Sequence, residues 1–182
     1  MSGFLFPPDY NTKPPMTLIH HNIKKLEEIK DLFRQLPSQV YSRPNEILSK
    51  ATIGQHFRHI LEFYICLERG SQAGTICYDD RDRDQLIETN MDYAIHNIEE
   101  VIGFLRRVHH DRLLTMMGNY AVESDDKTTL QTSLYRELAY ALDHTVHHLA
   151  IVKIALSSEN IEVDNNFGVA PSTTRHRKVC VQ

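Results

Sequence analysis

The residues best suited to chemistry are two histidines near the end of the chain, His144 and His148. They lie in segment 137–149, which lacks Pro and Gly and is rich in Leu and Ala, so it is predicted to be helical. Residues four apart project from the same side of a helix, one turn apart. Two such imidazoles can hold one metal ion from a rigid backbone, and at least one further ligand must come from elsewhere in the chain.

A second pair of histidines, His56 and His59, is the best source of that ligand. Both lie on a predicted helix that begins near Ser49 or Thr52 and ends at Gly70. His56 falls on the apolar side of this helix and His59 falls at its edge. Burying several imidazoles without a common partner would leave polar nitrogens unsatisfied, and a shared ion removes that cost. The spacing therefore predicts a metal site built from two helices.

Two further residues near the pair on the last helix have open roles. His147 is rotated by roughly 60° from His144, so it is expected beside the site or on the surface rather than as a ligand, and it is a candidate base. Glu137 lies about two turns before the pair, too far along the axis to share the ion easily. It either orients a ligand, pairs with an Arg from the loop at 70–88, or is a partly exposed glutamate at a helix start.

The loop at 70–88 contains the mixed charge run 78–84. Such a run is usually a solvated face with local ion pairs of little energetic value. It is also a candidate pocket lip, because an Arg in it can bind the carboxylate or phosphate of a substrate.

Four amphipathic helices are predicted to position these residues. They cover about 16–36, 52–69, 90–108 and 133–158, and a short hairpin of 113–117 with 120–122 around Gly118-Asn119 is predicted between the third and fourth helices. Residues 1–15 contain four prolines and are predicted to form an extended arm, and 159–182 form a polar C-terminal tail. The expected fold is therefore all-α, a four-helix bundle over 16–158.

Composition limits the partners. The 182 residues suit one domain, and a net charge of −4 without a basic stripe argues against nucleic acid. No apolar run approaches the roughly 20 residues that span a bilayer, and the N-terminus does not resemble a secretory signal. The three cysteines have neither metal nor disulfide spacing, which fits a reducing cytoplasm.

The segments 52–60, with His56 and His59, and 144–148, with His144 and His148, together resemble the DinB/YfiT superfamily. The resemblance spans most of 16–158. It implies a four-helix bundle of DinB/YfiT type, often homodimeric, in which one His of the second helix and two of the fourth surround a divalent metal with open coordination positions. Characterised members include transferases that use low-molecular-weight thiols, and the fold also forms a domain of iron-dependent sulfoxide synthases of ergothioneine biosynthesis.

The ligand on the second helix has two alternatives. Aligning Thr52-Ile53 with the superfamily's Ser/Thr-hydrophobic start makes His59 the ligand, whereas aligning Gly54-Gln55 with its small-residue-then-His pattern makes it His56. Helical phase favours His56. We prefer the set His59, His144 and His148, with His56 packed beside it.

Two functions are compatible with these residues. The first is a divalent-metal-dependent enzyme, a thiol transferase or hydrolase acting on a small molecule, in which the ion generates a nucleophile at neutral pH. The alternative is a non-catalytic metal-binding or small-ligand-binding protein of the stress-response type. Three imidazoles suit zinc, nickel, iron or manganese alike, so the sequence does not choose the metal.

Overall fold

The chain forms seven α-helices and three β-strands within residues 16–180, the part that the computed structural model describes, with side chains from residue 18 onward. The predicted extended arm, 1–15, lies outside the described residues. The helices are α1 (Met16–Phe33), α2 (Ser38–Ser42), α3 (Ile53–Ala73), α4 (Gln85–Thr89), α5 (Met91–Arg106), α6 (Leu134–Ser158) and α7 (Pro171–Cys180). The strands are β1 (Thr75–Cys77), β2 (Leu113–Asn119) and β3 (Lys127–Ser133).

The three strands form one mixed sheet in the order β1-β2-β3, so the predicted all-α four-helix bundle is wrong and the fold is α/β. Strand β1 pairs parallel with β2, with Ile76 opposite Met116, and β2 pairs antiparallel with β3, with Met116 opposite Leu130. The predicted hairpin covers too little, because its second strand is 127–133 rather than 120–122. The sequence does not indicate this sheet, for two physical reasons. Strand β1 is too short to show alternation, and most of β3 is exposed and lacks an apolar face.

The four long helices coincide with the predicted ones because their caps are strong local signals. The Thr52 hydroxyl accepts a hydrogen bond from the Gln55 amide at 3.0 Å, and the Gln55 side chain accepts one from the Thr52 amide at 3.1 Å. At the starts of α5 and α6, the side chains of Asn90 and Ser133 accept hydrogen bonds from the backbone amides of Tyr93 and Arg136.

Helix α3 runs one turn beyond its predicted end at Gly70. Gly70 is buried where the chain folds back into β1, and a Cβ there would lie 2.5 Å from Cγ1 of Ile76. The helix ends instead at Gly74, whose φ of 80° gives the left-handed cap that glycine adopts without strain. Gly70 therefore serves close packing, and Gly74 serves the turn.

Helices α3 and α6 pack against each other at the centre of the molecule. Helix α3 also contacts α4, α5 and β1, while α1 packs on α5 and α6. The interior is filled by aliphatic and aromatic side chains from all the long helices, among them Leu26, Ile29, Phe57, Leu61, Ile98, Leu138, Leu149 and Val152. Because α3 and α6 are rigidly buried against several neighbours, the histidines that they carry have a fixed backbone frame.

The segment after α6 packs partly on the helices. Phe167 is 5% exposed and joins the core, and a Cβ on Gly168, which has a φ of 70°, would lie 2.5 Å from the Ala150 amide nitrogen. Helix α7 has no buried residue. Within residues 16–180, none of the helices has the length and apolar character that crossing a bilayer requires.

Candidate metal centre

Three imidazoles converge between α3 and α6. One ring nitrogen from each of His59, His144 and His148 can be chosen so that the three atoms lie within 4.8 Å of one another. The ring centroids are 4.8 Å apart for His59 and His144, 4.7 Å for His59 and His148, and 4.5 Å for His144 and His148. All three side chains are half-buried. Two helices thus bring together residues separated by more than 80 positions in the chain.

One nitrogen of this cluster lacks a partner. Nε2 of His144 is buried and makes no hydrogen bond with the residues that the structure describes. A buried polar atom without a partner costs free energy, and native proteins rarely keep one without a reason. A cation bound by the three imidazoles would satisfy it, and imidazole nitrogen is a good ligand for borderline divalent metals. The residues therefore fit a metal ion.

His56 lies beside the three rings rather than among them. Its Nδ1 is 3.0 Å from Nδ1 of His148, a distance at which one imidazole donates its proton to the other. A ligating histidine is normally held by a hydrogen bond at its second nitrogen, which fixes the ring and its tautomer. With Nδ1 of His148 engaged by His56, Nε2 of His148 is the nitrogen left for an ion. His56 is thus positioned to fix the orientation of the His148 ring.

Burial keeps these histidines neutral. Burial, followed by the neighbouring His59 and His144, lowers the pKa of His148 to about 3. Burial, followed by the positive charge of Arg81, lowers the pKa of His59 to about 4. For His144 the pKa is lowered by burial and then by His147 and Arg81. Neutral imidazole is the form that binds metal, so the cluster is ready for an ion at neutral pH.

The residues with open roles take distinct places. His147 is exposed, and its ring centroid lies 5.4 Å from that of His148, at the rim of the cluster. Glu137 is 1% exposed, not a partly solvated residue at a helix start. Its carboxylate pairs with Arg136 of its own helix at 2.8 Å, not with an Arg from the loop.

Glu137 is also held by two hydroxyl groups. The Tyr78 hydroxyl donates to its Oε2 at 2.8 Å, and the Thr132 hydroxyl donates to its Oε1 at 2.5 Å. The pKa of Tyr78 is raised, first by burial and then by the charge of Glu137. This carboxylate therefore ties the loop and strand β3 to α6 instead of reaching the histidines.

A cavity of about 350 Å³ lies next to the histidine cluster. Its wall includes Phe63 and Tyr140, whose ring centroids are 4.1 Å and 5.8 Å from that of His144. Arg81 lies over the Phe63 ring, 5.1 Å from its centroid. Part of the charge run at 78–84 thus forms a pocket wall, the second of the two interpretations that the sequence allows. The remaining lining includes Asp79, Met116, Met117, Asn119, Tyr120, Leu130 and Glu137.

Phe63 and Tyr140 are not among the site residues predicted from the sequence, although a signal was present. Phe63 follows His59 by four positions, and Tyr140 precedes His144 by four. Both therefore lie on the histidine-bearing faces, one turn from a candidate ligand. None of the three cluster histidines lines the 350 Å³ cavity itself, which Phe63 and Tyr140 connect to His144, and none lines a larger groove of about 730 Å³ between α1 and residues 163–178.

Comparison with known proteins gives one partial similarity. The chain is 31% identical over 104 residues to FK506-binding protein 5 of Rhizopus delemar, an alignment that covers 56% of this chain and 27% of that protein. The chain thus spans about a quarter of the length of the curated relative that it matches. No protein-family model matches the chain, and no solved structure matches it.

Proposed function

We propose that this chain binds a divalent metal ion through His59, His144 and His148 and uses it to transform a small molecule, by thiol transfer or by hydrolysis. One observation carries the proposal: the three neutral imidazoles that face one another, with an unpartnered Nε2 on His144, beside a cavity of about 350 Å³. Among the described residues only these three side chains form such a group, which leaves coordination positions for a substrate.

The resemblance of segments 52–60 and 144–148 to the DinB/YfiT superfamily supports the same chemistry. Because the four-helix bundle that the resemblance implied is overturned by the sheet, the proposal depends on the site and not on the fold. The substrate proposed from the resemblance is a low-molecular-weight thiol with its electrophilic partner. A homodimer and a cytoplasmic location are proposed with it, the latter because the three cysteines are unpaired.

The chain's own residues have separate tasks in this proposal. A divalent ion in the site supplies Lewis acidity, which favours the deprotonated form of a water or thiol at neutral pH. His56 fixes the orientation of His148 through the contact between their Nδ1 atoms. His147, at the exposed rim, is the candidate base that accepts the proton. Phe63 and Tyr140 cover one side of the His144 ring.

The alternative is a metal-binding protein without catalytic activity, and the position of His56 favours it. This residue lies close enough to His148 to become a fourth ligand after a small movement, and four protein ligands are typical of closed, structural sites. X-ray absorption on the metal-loaded protein separates the two functions. Three nitrogen ligands with an additional light atom support the enzyme, and four imidazoles support the binding protein.

The direct test is an assay of the metal-loaded protein for transfer of small thiols to electrophiles, and for ester and amide hydrolysis. The control is His148→Ala, which removes a half-buried ligand of α6 and leaves the apolar core intact. Turnover by the unaltered protein that His148→Ala lacks supports an enzyme. Metal binding without turnover on any of these substrates supports the alternative.

A further inference from the structure

We propose that Arg81 is the specificity residue of this site and that it binds a carboxylate of a ligand whose flat, apolar part lies in the neighbouring cavity. The proposal rests on the proposed function, since it describes the substrate of the same site. It names a substrate class, an aryl or similarly planar carboxylate.

The Arg81 guanidinium has few partners within the part of the protein that the structure describes. One of its nitrogens donates to the carbonyl oxygen of Tyr78, and its Cζ lies over the Phe63 ring, 5.1 Å from the centroid. Among the described residues, no carboxylate lies within 4.0 Å of it. Arg58, Arg69 and Arg136 each have such a partner, and Arg83, which like Arg81 has none within residues 16–180, does not line the cavity. Its fork of donors is the arrangement that binds a carboxylate through two hydrogen bonds.

The acidic neighbours of Arg81 pair with residues of other elements. Asp79 accepts a hydrogen bond from the Asn119 amide at 2.8 Å, and Asp82 pairs with Arg69 at 2.7 Å. Asp80 lies 3.7 Å from Lys127. A run of four acids and two arginines would be expected to pair internally, yet the fold directs its acids to other elements. The positive charge of Arg81 is thus left for something that enters the cavity.

The cavity has an aromatic wall. Phe63 and Tyr78 are stacked, with ring centroids 4.6 Å apart and an angle of 14° between the planes. Tyr140 completes the aromatic wall, at 6.0 Å from Phe63 and 6.1 Å from Tyr78. Met116 and Met117 from β2 line the same space. A volume of about 350 Å³ is at the lower end of the range for small-molecule pockets. Aromatic and thioether groups suit a planar apolar group.

Phe63 connects the cavity to the histidines. It contacts both Arg81 and His144, and the charge of Arg81 acts on His59 and His144. The three imidazoles do not line the cavity itself, so a carboxylate bound to Arg81 would be separated from His144 by the Phe63 ring. A molecule held by Arg81 would have to extend past Phe63 to present a second group to the reacting position.

The experiment compares phenylacetate with phenylacetamide, which has the same shape but no charge. Binding is measured by NMR titration of the full chain, both metal-free and loaded with zinc, for the unaltered protein, Arg81→Gln and Arg83→Gln. Arg83 is the matched control, because it is an exposed arginine of the same loop that does not line the cavity. We expect the unaltered protein and Arg83→Gln to bind phenylacetate at least about tenfold more tightly than the amide, and Arg81→Gln to lose that preference.

Three outcomes of the titrations overturn the proposal. Equal preference in Arg81→Gln and the unaltered protein would show that Arg81 does not select the carboxylate. A preference that appears only with zinc and persists in Arg81→Gln would assign the carboxylate to the ion. Absence of binding of both compounds would show that the cavity is not a site for them. Failure to bind zinc would count against the proposed function alone, because the metal-free titration still tests Arg81.

If Arg81→Gln melts at a lower temperature than Arg83→Gln, Arg81→Lys provides the second variant. It retains the charge over Phe63 but not the planar fork, so we expect part of the carboxylate preference to remain. If neither Arg81→Gln nor Arg81→Lys weakened the preference for the carboxylate, the proposal would be contradicted.

Discussion

Helices α3 and α6 contribute side chains to two polar clusters. In one cluster other protein groups satisfy the hydrogen-bonding atoms, and in the other the described residues do not satisfy all of them. The closed cluster consists of Asn22, Tyr64 and Thr145, each at most 1% exposed. The Tyr64 hydroxyl donates to Oδ1 of Asn22 at 2.7 Å and lies 3.1 Å from the Thr145 hydroxyl. Backbone carbonyls take the remaining donors, at 2.9 Å from Nδ2 of Asn22 and 2.7 Å from the Thr145 hydroxyl.

The open cluster is the set of imidazoles. His144 precedes Thr145 by one residue, and His59 precedes Tyr64 by five, so α3 and α6 contribute to both clusters on different sides, while α1 adds Asn22 to the closed one. Here Nε2 of His144 has no partner among the described residues, and burial disfavours the charged form of every ring. A polar group that the fold satisfies contributes to stability, whereas one that it leaves unsatisfied costs stability. The contrast is the basis for proposing a structural role for the closed cluster and ligand binding for the open one.

The largest effect is expected from removing a ligand of the open cluster. His144→Ala or His148→Ala should abolish stoichiometric metal binding, a loss of at least about 100-fold in affinity, because two imidazoles do not hold an ion as three do. Elemental analysis after dialysis against zinc measures it. His96→Ala is the control, since His96 is an exposed histidine of α5. Equal metal content in all three variants would refute the ligand assignment.

That assignment shows how far the sequence reaches. Helical spacing placed His144 and His148 on one face of a helix, which needs only local information. The choice between His56 and His59 required the rotation of α3 against α6, which is set by packing among many side chains. Helical phase alone favours His56, yet the ring of His59 is the one that lies within 4.8 Å of the others, and His56 contacts His148 from the side.

The fold likewise combines elements that local sequence determines with elements that depend on distant parts of the chain. Caps at Thr52, Asn90 and Ser133 are local, so the long helices were predictable to within a few residues. The sheet is not local, because Thr75 of β1 pairs with Thr115, forty positions away. Strand β1 has only three residues, too few to show a periodic pattern, and the exposed strand β3 has a polar sequence. The predicted bundle failed at the elements whose stability comes from distant partners.

The second prediction sharpens the comparison by adding the ion. Zinc at about 100 times its dissociation constant should stabilise the unaltered protein by about 2.7 kcal/mol, because the ion binds the folded state. For a chain of this size that is a rise in melting temperature of about 5–10 °C. His148→Ala should show no rise, whereas Tyr64→Phe should show the full rise, because it alters only the closed cluster. Differential scanning calorimetry with and without zinc measures the effect. A rise of equal size in His148→Ala would place the ion elsewhere.

The third prediction disturbs the closed cluster. Tyr64→Phe removes the hydroxyl between Asn22 and Thr145 and leaves a buried amide oxygen without its donor. We expect a loss of about 1–3 kcal/mol in the free energy of unfolding, with metal content unchanged. Urea denaturation and elemental analysis test the two halves of this expectation. A large fall in metal content at unchanged stability would reverse the roles that we assign to the clusters.

The smallest effect concerns pH in the metal-free protein. The folded-state pKa of His148 is about 3 and that of His59 about 4, below the ordinary value near 6.5 that the unfolded chain retains. At a pH between the folded-state and unfolded-state pKa values, the unfolded state binds more protons than the folded state. The free energy of unfolding therefore falls as the pH drops below about 6.5, and these two groups do not affect it at higher pH. Both rings are partly exposed, so solvent reduces the effect of each to at most about 1 kcal/mol at pH 5. In the presence of a chelator, the melting temperature of His148→Ala should therefore fall less between pH 7 and pH 5 than that of the unaltered protein, by about 2–4 °C. The melting temperature of Tyr64→Phe should fall as much as that of the unaltered protein, because the closed cluster contains no group that titrates in this range. If the melting temperatures of Tyr64→Phe and His148→Ala fell by the same small amount, the two clusters would not differ as we propose.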